Sequence, residues 1–447
     1  MSKLVHAQWS SKMTFVLAAA GSAVGLGNIW RFSYMVGDSG GAAFVLIYLA
    51  CVALVGLPIL VAEWLIGRRG QENPINAMAD LARRNGRLPA WALVGASGVL
   101  AAFLILSFYS VIGGWSLSYT LSSVTGAFSG QDADAIGALF GGLLGSPGTL
   151  TLWHTAFMAL VIFIVARGVT KGLEGAVRTM MPALVVLMLV LVGYGMTTGH
   201  FGEALAFMFR PDWSAVTGGV VLAAMGQAFF TLSLGMGIMM AYGSYLGEDV
   251  NLISTARTVI ILDTVIALLA GMAIFPIVFA NGMSPGEGPG LIFVSLPVAF
   301  GNMTGGTLLG LMFFLLLTFA ALTSAISLLE PVVELVEERT PLSRVAATLT
   351  SGVAVWALGI AALMSFNVWG DFLIFGLNIF DLLDTFTSKV LLPLTGLGAI
   401  LFVAWCLERQ SVASELGLAG GTERLWHLVA RYVAPIGVIV VFVTGLL

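Results

Sequence analysis

Charge is scarce in this chain. Only 9% of its residues are Asp, Glu, Lys or Arg, against about 25% in an ordinary soluble domain. Cysteine is nearly absent. The two present, Cys51 and Cys406, lie in separate apolar runs, which excludes a disulfide framework and a thiolate metal site. The four histidines are scattered and give no metal-ligand spacing. Net charge is only −4 with no basic tract, so nothing points to nucleic acid. There is no nucleophile set or acid–base cluster for a membrane enzyme.

What is abundant is apolar length. The chain is 59% hydrophobic, with a mean hydropathy of +1.01. Eleven runs are long enough to cross a bilayer, which takes about 20 apolar residues each. They fall at roughly 13–36, 41–68, 91–124, 150–166, 173–198, 214–246, 252–280, 304–337, 343–364, 372–407 and 427–446, and are numbered spans 1 to 11 below. Met13 to Gly25 also has the make-up of a secretory signal core, but a glycine-rich break falls inside it. The expectation is one all-α polytopic membrane domain over residues 1–447, with the lipid bilayer as a partner.

Orientation follows from Lys and Arg placement. With the N-terminus inside, the inner side receives Lys3, Lys12, Arg68, Arg69, Arg83, Arg84, Arg87, Arg167, Lys171, Arg178, Arg257, Arg339, Arg344, Arg409, Arg424 and Arg431. Arg31, Arg210 and Lys389 fall elsewhere. The odd span count then leaves the C-terminus outside.

Two segments break the apolar pattern, AGSAVGLGNIWRF (20–32) and QAFFTLSLGMG (227–237). Glycine costs a helix about 1 kcal/mol relative to alanine. Freed backbone groups at membrane depth persist only where protein, water or a ligand satisfies them. Spans 1–5 and 6–10 make two halves, about 12–198 and 214–408, and each half opens with a broken span. Five spans per half is an odd number, so the second half is inverted, and the extra helix is 427–446. Paired breaks in inverted repeats mark a transporter binding site. The loop 282–303 is rich in Gly and Pro; it reads either as an inward-dipping lid or as an ordinary connection with a short helix.

Polar residues inside the spans add detail. Ala320, Thr323 and Ser324 share one face of span 8. The two hydroxyls read as half of an ion site, or as groups bonding back to their own helix. Asp263 lies inside span 7, and an intramembrane carboxylate is a functional candidate by default. The alternative is a carboxylate close enough to the inner end to reach water. Freed N–H groups around Leu26 and Gly27 suit a substrate carboxylate at a helix N-terminus. Tyr109 reads as its partner or as an interfacial belt tyrosine.

Several motifs, in order along nearly the whole chain, carry a family resemblance: GSAVGLGNIWRFSY, GGAAF, FFTLSLG, ALTS followed by EP, and FDLLD. The chain resembles the neurotransmitter:sodium symporter family. Its short eleven-span form with SLGMG is similar to the bacterial amino-acid transporters of that family. The resemblance implies a five-plus-five inverted repeat with spans 1 and 6 unwound. It also implies sodium coupling, with two ions, and amino-acid substrates. One ion site would use Gly21, Val24, Ala320, Thr323 and Ser324. The other would use Ala23, Asn28, Thr231 and Asp263. The substrate site would gather Ala23, Gly25, Leu26, Gly27, Ile105, Tyr109, Phe230, Ser233, Met236, Ser324 and Leu328. Arg31 and Asp384 would form an outer gate with Phe230 as lid, and Trp9, Ser244, Tyr245 and Glu338 an inner one.

Three departures from the family pattern stand out. Gly25 occupies the place where amine-transporting relatives carry Asp, which points to α-amino acids with their own carboxylate. Asp263 stands where Asn is common, and Ala267 where relatives place a chloride-binding Ser or an acidic residue. The fixed carboxylate therefore predicts transport without chloride. His6 replaces a common Arg, leaving Lys3 as another partner for Glu338. Glu63 and Gln227 read as structural, near the outer vestibule. The expected protein is an importer of hydrophobic, aliphatic or aromatic L-amino acids in the inner membrane of a bacterium, a monomer or weak homo-oligomer. A proton-coupled or exchange-type transporter of the same architecture, and a receptor or channel, are the competing readings.

Overall fold

The computed structural model describes residues 8–286 and 290–446. These residues form helices and connections, with a single isolated β-bridge between Ile374 and Leu377. Nine described helices are long and apolar enough to cross a membrane by themselves. They are Ala42–Gly70, Pro89–Val124, Pro147–Val165, Val169–Gly195, Leu252–Ala280, Gly306–Arg339, Arg344–Met364, Ile379–Cys406 and Gly420–Thr444. They correspond to spans 2–5 and 7–11.

The other two spans are broken where the glycines predict. Span 1 consists of Lys12–Ala23 and Gly27–Asp38, bent by 51°. Its first half starts at a capping box in which Ser11 and Thr14 bond reciprocally. The turn is at Val24, which is extended at φ −76° and ψ 92°. Span 6 consists of Gly218–Thr231 and Ile238–Ser244. Between them Ser233, Gly235 and Gly237 all take left-handed φ, at 53°, 75° and 69°. A helix cannot continue through three such residues. A Cβ at Gly235 would also lie 2.4 Å from the Leu392 carbonyl oxygen.

Small residues bring the inner half of span 6 against span 2. A Cβ at Gly67 would sit 1.9 Å from the Met240 carbonyl oxygen, and one at Gly243 would sit 2.6 Å from that of Trp64. Close backbone approach of this kind is how helices associate where the hydrophobic effect gives no help. Span 8 runs through the middle, packing on span 3 and on the first half of span 1.

Two boundaries differ from the sequence reading. Span 10 starts at Ile379 rather than 372, because the Asn378 side chain caps the Asp381 N–H and residues 374–377 turn back on themselves. Apolar content extended the expected span through a hairpin that periodicity alone does not expose. Span 11 starts earlier, at Gly420. The loop after span 7 contains the helix Leu291–Asn302, as the connecting-loop reading expects. Pro285 in the same loop packs on span 1, its carbonyl oxygen 1.9 Å from where a Gly37 Cβ would stand.

Candidate substrate and ion sites

The two breaks face one another across a small cavity. Ser22, Ala23, Gly25, Gly27, Ile105, Tyr109, Phe230, Ser233, Met236, Ser324 and Leu328 line it. Every expected pocket residue except Leu26 is among them, and Ser22 is an addition. Among the described residues no charged side chain reaches the lining. Leu26 contributes through its backbone: its N–H donates to the Tyr109 hydroxyl at 3.2 Å. Tyr109 is 3% exposed, which disposes of the interfacial-belt reading. The lining thus offers hydroxyls and a break N–H at one end, and Ile105, Met236 and Leu328 for an apolar group.

Span 8 hydroxyls meet the first break. The Ser324 Oγ donates to the Ser22 carbonyl at 2.9 Å. The Thr323 Oγ1 bonds back to its own helix, to the Ala320 carbonyl at 3.0 Å and that of Phe319 at 3.1 Å. It also stands 3.4 Å from the Val24 carbonyl of span 1. Thr323 thus bonds back to its own helix, while Ser324 turns to the first break. Gly21 lies nearby on span 1, where a Cβ would press on Val177 and Met181 of span 5. The seam supplies neutral oxygens, a donor set that suits an alkali cation. Among the described residues no group of three or more His, Cys, Asp or Glu side chains is placed to hold a metal ion.

Asp263 is fully buried, so the reading in which it reaches water does not hold. Its Oδ1 accepts from the Asn28 amide at 2.7 Å. Both carboxylate oxygens lie 3.1 Å from the Thr231 hydroxyl. Asn28 in turn takes the Gly25 N–H on its Oδ1 at 3.2 Å. Three of the four expected residues of the second ion site are thus bonded together, with Ala23 alongside in the cavity wall. Sequence reasoning missed Tyr48, whose hydroxyl donates to the Asp263 Oδ2 at 3.4 Å. A tyrosine in the otherwise apolar run FVLIYLAC was the available signal, since a buried phenol needs a partner. Ala267 is buried and adds no polar group.

Phe230 roofs the cavity. Above it lies a second space bounded by Trp30, Arg31, Tyr34, Phe108, Phe380 and Asp384, among others. The Arg31 guanidinium sits over the Phe230 ring, 4.6 Å from its centroid. Arg31 and Asp384 border this space but form no ion pair among the described residues. The expected outer pair is corrected to an open one: the intervening space keeps the two charges apart.

The end that holds Trp9, expected to be the inner one, is closed. The Trp9 indole donates to the Tyr242 carbonyl at 3.0 Å, and the Trp9 N–H to the Tyr245 carbonyl at 3.2 Å. Ser244 donates to Glu334 and Tyr245 to Glu330, each at 2.9 Å. Arg344 forms an ion pair with the same Glu330. Glu338, expected with Ser244 and Tyr245, instead accepts at 3.0 Å the N–H of Asn73, the residue whose side chain caps the helix Pro74–Arg84. The reason is helical spacing: Glu330, Glu334 and Glu338 recur every fourth residue on one face of span 8, and each reaches a different level. His6 and Lys3 lie outside the described residues.

Glu63 is also corrected. It does not sit at the outer vestibule; its Oε1 accepts the Gly235 N–H inside the span 6 break at 2.8 Å. Gln227 ties the breaks to each other, its amide donating to the Gly27 carbonyl at 2.7 Å.

The fold and these sites define a helical membrane transporter whose two broken helices enclose one small-molecule cavity. The chain belongs to the sodium:neurotransmitter symporter family, which it matches over residues 6–135 and 140–447. It is a sodium-dependent transporter and not an enzyme. It is 40% identical over 446 residues to the uncharacterized sodium-dependent transporter YhdH of Bacillus subtilis, covering 99% of this chain and 98% of that one. A second uncharacterized sodium-dependent transporter, from Haemophilus influenzae, is 34% identical over 98% of each chain. The crystal structure of MhsT in complex with L-phenylalanine matches with a TM-score of 0.91 and 46% identity, over 98% of this chain and 99% of that one. The all-α fold of about eleven spans, a five-plus-five inverted repeat with spans 1 and 6 unwound, is therefore the fold of this protein.

Proposed function

We propose that this protein is a symporter that imports hydrophobic L-amino acids with sodium, without chloride, by alternating access. The observation that carries this reading is the charge-free cavity at the break. There the Leu26 N–H and the Tyr109 hydroxyl converge beside Gly25. The substrate carboxylate takes those donors, and the side chain lies against Ile105, Met236 and Leu328. An amine without a carboxylate finds no acidic partner in that lining. The solved relative that holds L-phenylalanine supports the same class of ligand.

Two sodium ions complete the proposal. One binds at Gly21, Val24, Ala320, Thr323 and Ser324. The other binds at Ala23, Asn28, Thr231 and Asp263. Each ion entering down about 100 mV releases about 2.3 kcal/mol, and a tenfold gradient adds about 1.4 kcal/mol. Two ions supply on the order of 7 kcal/mol, which sustains roughly 10⁵-fold accumulation of a zwitterion. The halves 12–198 and 214–408 rock about the fixed site. The N-terminus faces the cytoplasm of a bacterial cell and the C-terminus the outside.

Proteoliposomes test the substrate class. With a sodium gradient, leucine, phenylalanine or tryptophan should outcompete glutamate, lysine and dopamine by at least about tenfold. Dopamine competing best would show that no carboxylate is read at the break. Uptake that persists without sodium would favour a proton-coupled or exchange mechanism.

The hydroxyls of span 8 give a second test. Thr323→Ala combined with Ser324→Ala removes both side-chain oxygens from the seam. Sodium-dependent substrate binding should fall by about tenfold or more, at roughly 1 kcal/mol for each hydrogen-bonding oxygen removed. Scintillation proximity binding across a sodium titration measures this. An unaltered sodium midpoint would remove that ion site.

A further inference from the structure

Away from the transport path, the ends of spans 10 and 11 meet at a cluster of cations around one indole. Arg431 lies in a π-helical turn, Val429–Val433, inside span 11. Such turns recur at functional sites. Its guanidinium carbon is 3.8 Å from the Trp405 ring centroid. One of its amino groups meets the His427 Nε2 at 3.3 Å. Arg87 donates to the backbone carbonyl of the same Trp405 at 3.4 Å. Nearby Arg409 is paired with Glu423 at 2.8 Å. Among the described residues Arg431 and Arg87 have no such carboxylate. The Arg431 Nε is buried with no hydrogen-bond partner.

An unpaired guanidinium at the end of an apolar span is costly unless a counterion meets it. The surroundings indicate where that counterion comes from. Trp405 and Tyr432 are 46% and 49% exposed, and Leu425 and Leu428 are more exposed still. Amphipathic aromatics and exposed leucines of this kind face the headgroup layer and the acyl chains beneath it. A shallow pocket opens beside His427, walled by Val403, Ala404 and Leu407 and by the paired Arg409 and Glu423.

We infer that this corner is a binding site for an anionic phospholipid. Its phosphate is held by Arg431 and Arg87, and its chains lie on the leucine face. Arg431 is braced for that role by the Trp405 ring, which fixes the guanidinium plane. The lipid comes from the leaflet that borders the Lys- and Arg-rich side of the protein.

Native mass spectrometry of the full chain in neutral detergent tests this with phosphatidylglycerol, phosphatidylcholine and inorganic phosphate. The wild type should retain phosphatidylglycerol over phosphatidylcholine. Arg431→Gln should weaken that retention about fivefold, and Arg431→Gln with Arg87→Gln about 25-fold, since each basic group near an anionic surface contributes about 1 kcal/mol. Arg431→Lys should keep most of it. Sodium-dependent amino-acid binding should persist in all variants, which shows that they fold. Equal retention of the two lipids, or undiminished phosphatidylglycerol in the double variant, would overturn the inference. So would displacement of the lipid by equimolar inorganic phosphate, which would make the ligand a free anion.

Discussion

Alanine at position 25 should weaken substrate binding strongly while leaving the helices folded. A Cβ there would stand 2.2 Å from the Ser324 Oγ and 3.0 Å from the Tyr109 hydroxyl. Those are the groups proposed to receive an ion and a carboxylate. The added carbon either displaces the Ser324 hydroxyl from the Ser22 carbonyl or fills the space meant for the ligand. Overpacking a well-packed site costs about 1–3 kcal/mol, so affinity should fall roughly 5- to 150-fold. Isothermal titration with leucine measures the loss, and thermal unfolding checks the fold. Gly25→Asp would be more severe, because it brings an unpaired carboxylate into a charge-free cavity. Leucine affinity within about twofold of wild type in Gly25→Ala would mean that the substrate does not lie against the break.

Replacing Asp263 with asparagine should have a comparable effect by a different route. The carboxylate is fully buried and takes bonds from Asn28, Thr231 and Tyr48. Its three donors are neutral and no cation stands among them, so the carboxylate form is stabilised when sodium arrives. Removing one partner of a buried charge pair costs about 3–5 kcal/mol, which is on the order of 100-fold or more in sodium affinity. Wild-type uptake should be unaltered when chloride is replaced by gluconate, since the fixed anion is part of the protein. Asp263→Asn with Ala267→Ser should recover activity only with chloride present. A wild type that stops transporting in gluconate would refute the built-in anion directly.

Much of this architecture is legible in the sequence because membranes enforce simple rules. Apolar runs of sufficient length must be helices, since no water satisfies their backbone. Glycine clusters within them mark breaks. The motif at 20–32 and SLGMG at 233–237 therefore locate both unwound segments before any coordinate is known. Ten of the eleven pocket residues expected from family resemblance line one cavity. Span 10 is the counter-example. FLIFGLN reads as membrane by composition, yet Asn378 caps the helix behind it and Phe375 takes a left-handed φ of 53°. Hydropathy carries no information about a local capping bond.

The family resemblance supplied the neutral pocket, and the sequence by itself determined the number of spans, the two breaks and the presence of a carboxylate at position 263. These depend on composition and local backbone chemistry. Which partners the polar groups choose was decided only in three dimensions. Tyr48 reaches Asp263 from 215 residues away, and Glu63 reaches the span 6 break from 172. Glu330 and Glu334 take the bonds to Tyr245 and Ser244, while Glu338 turns to Asn73. The physical reason is the same each time. A hydrogen bond is settled within about 3 Å, and helix packing, not sequence spacing, sets which of several suitable groups arrives within that distance.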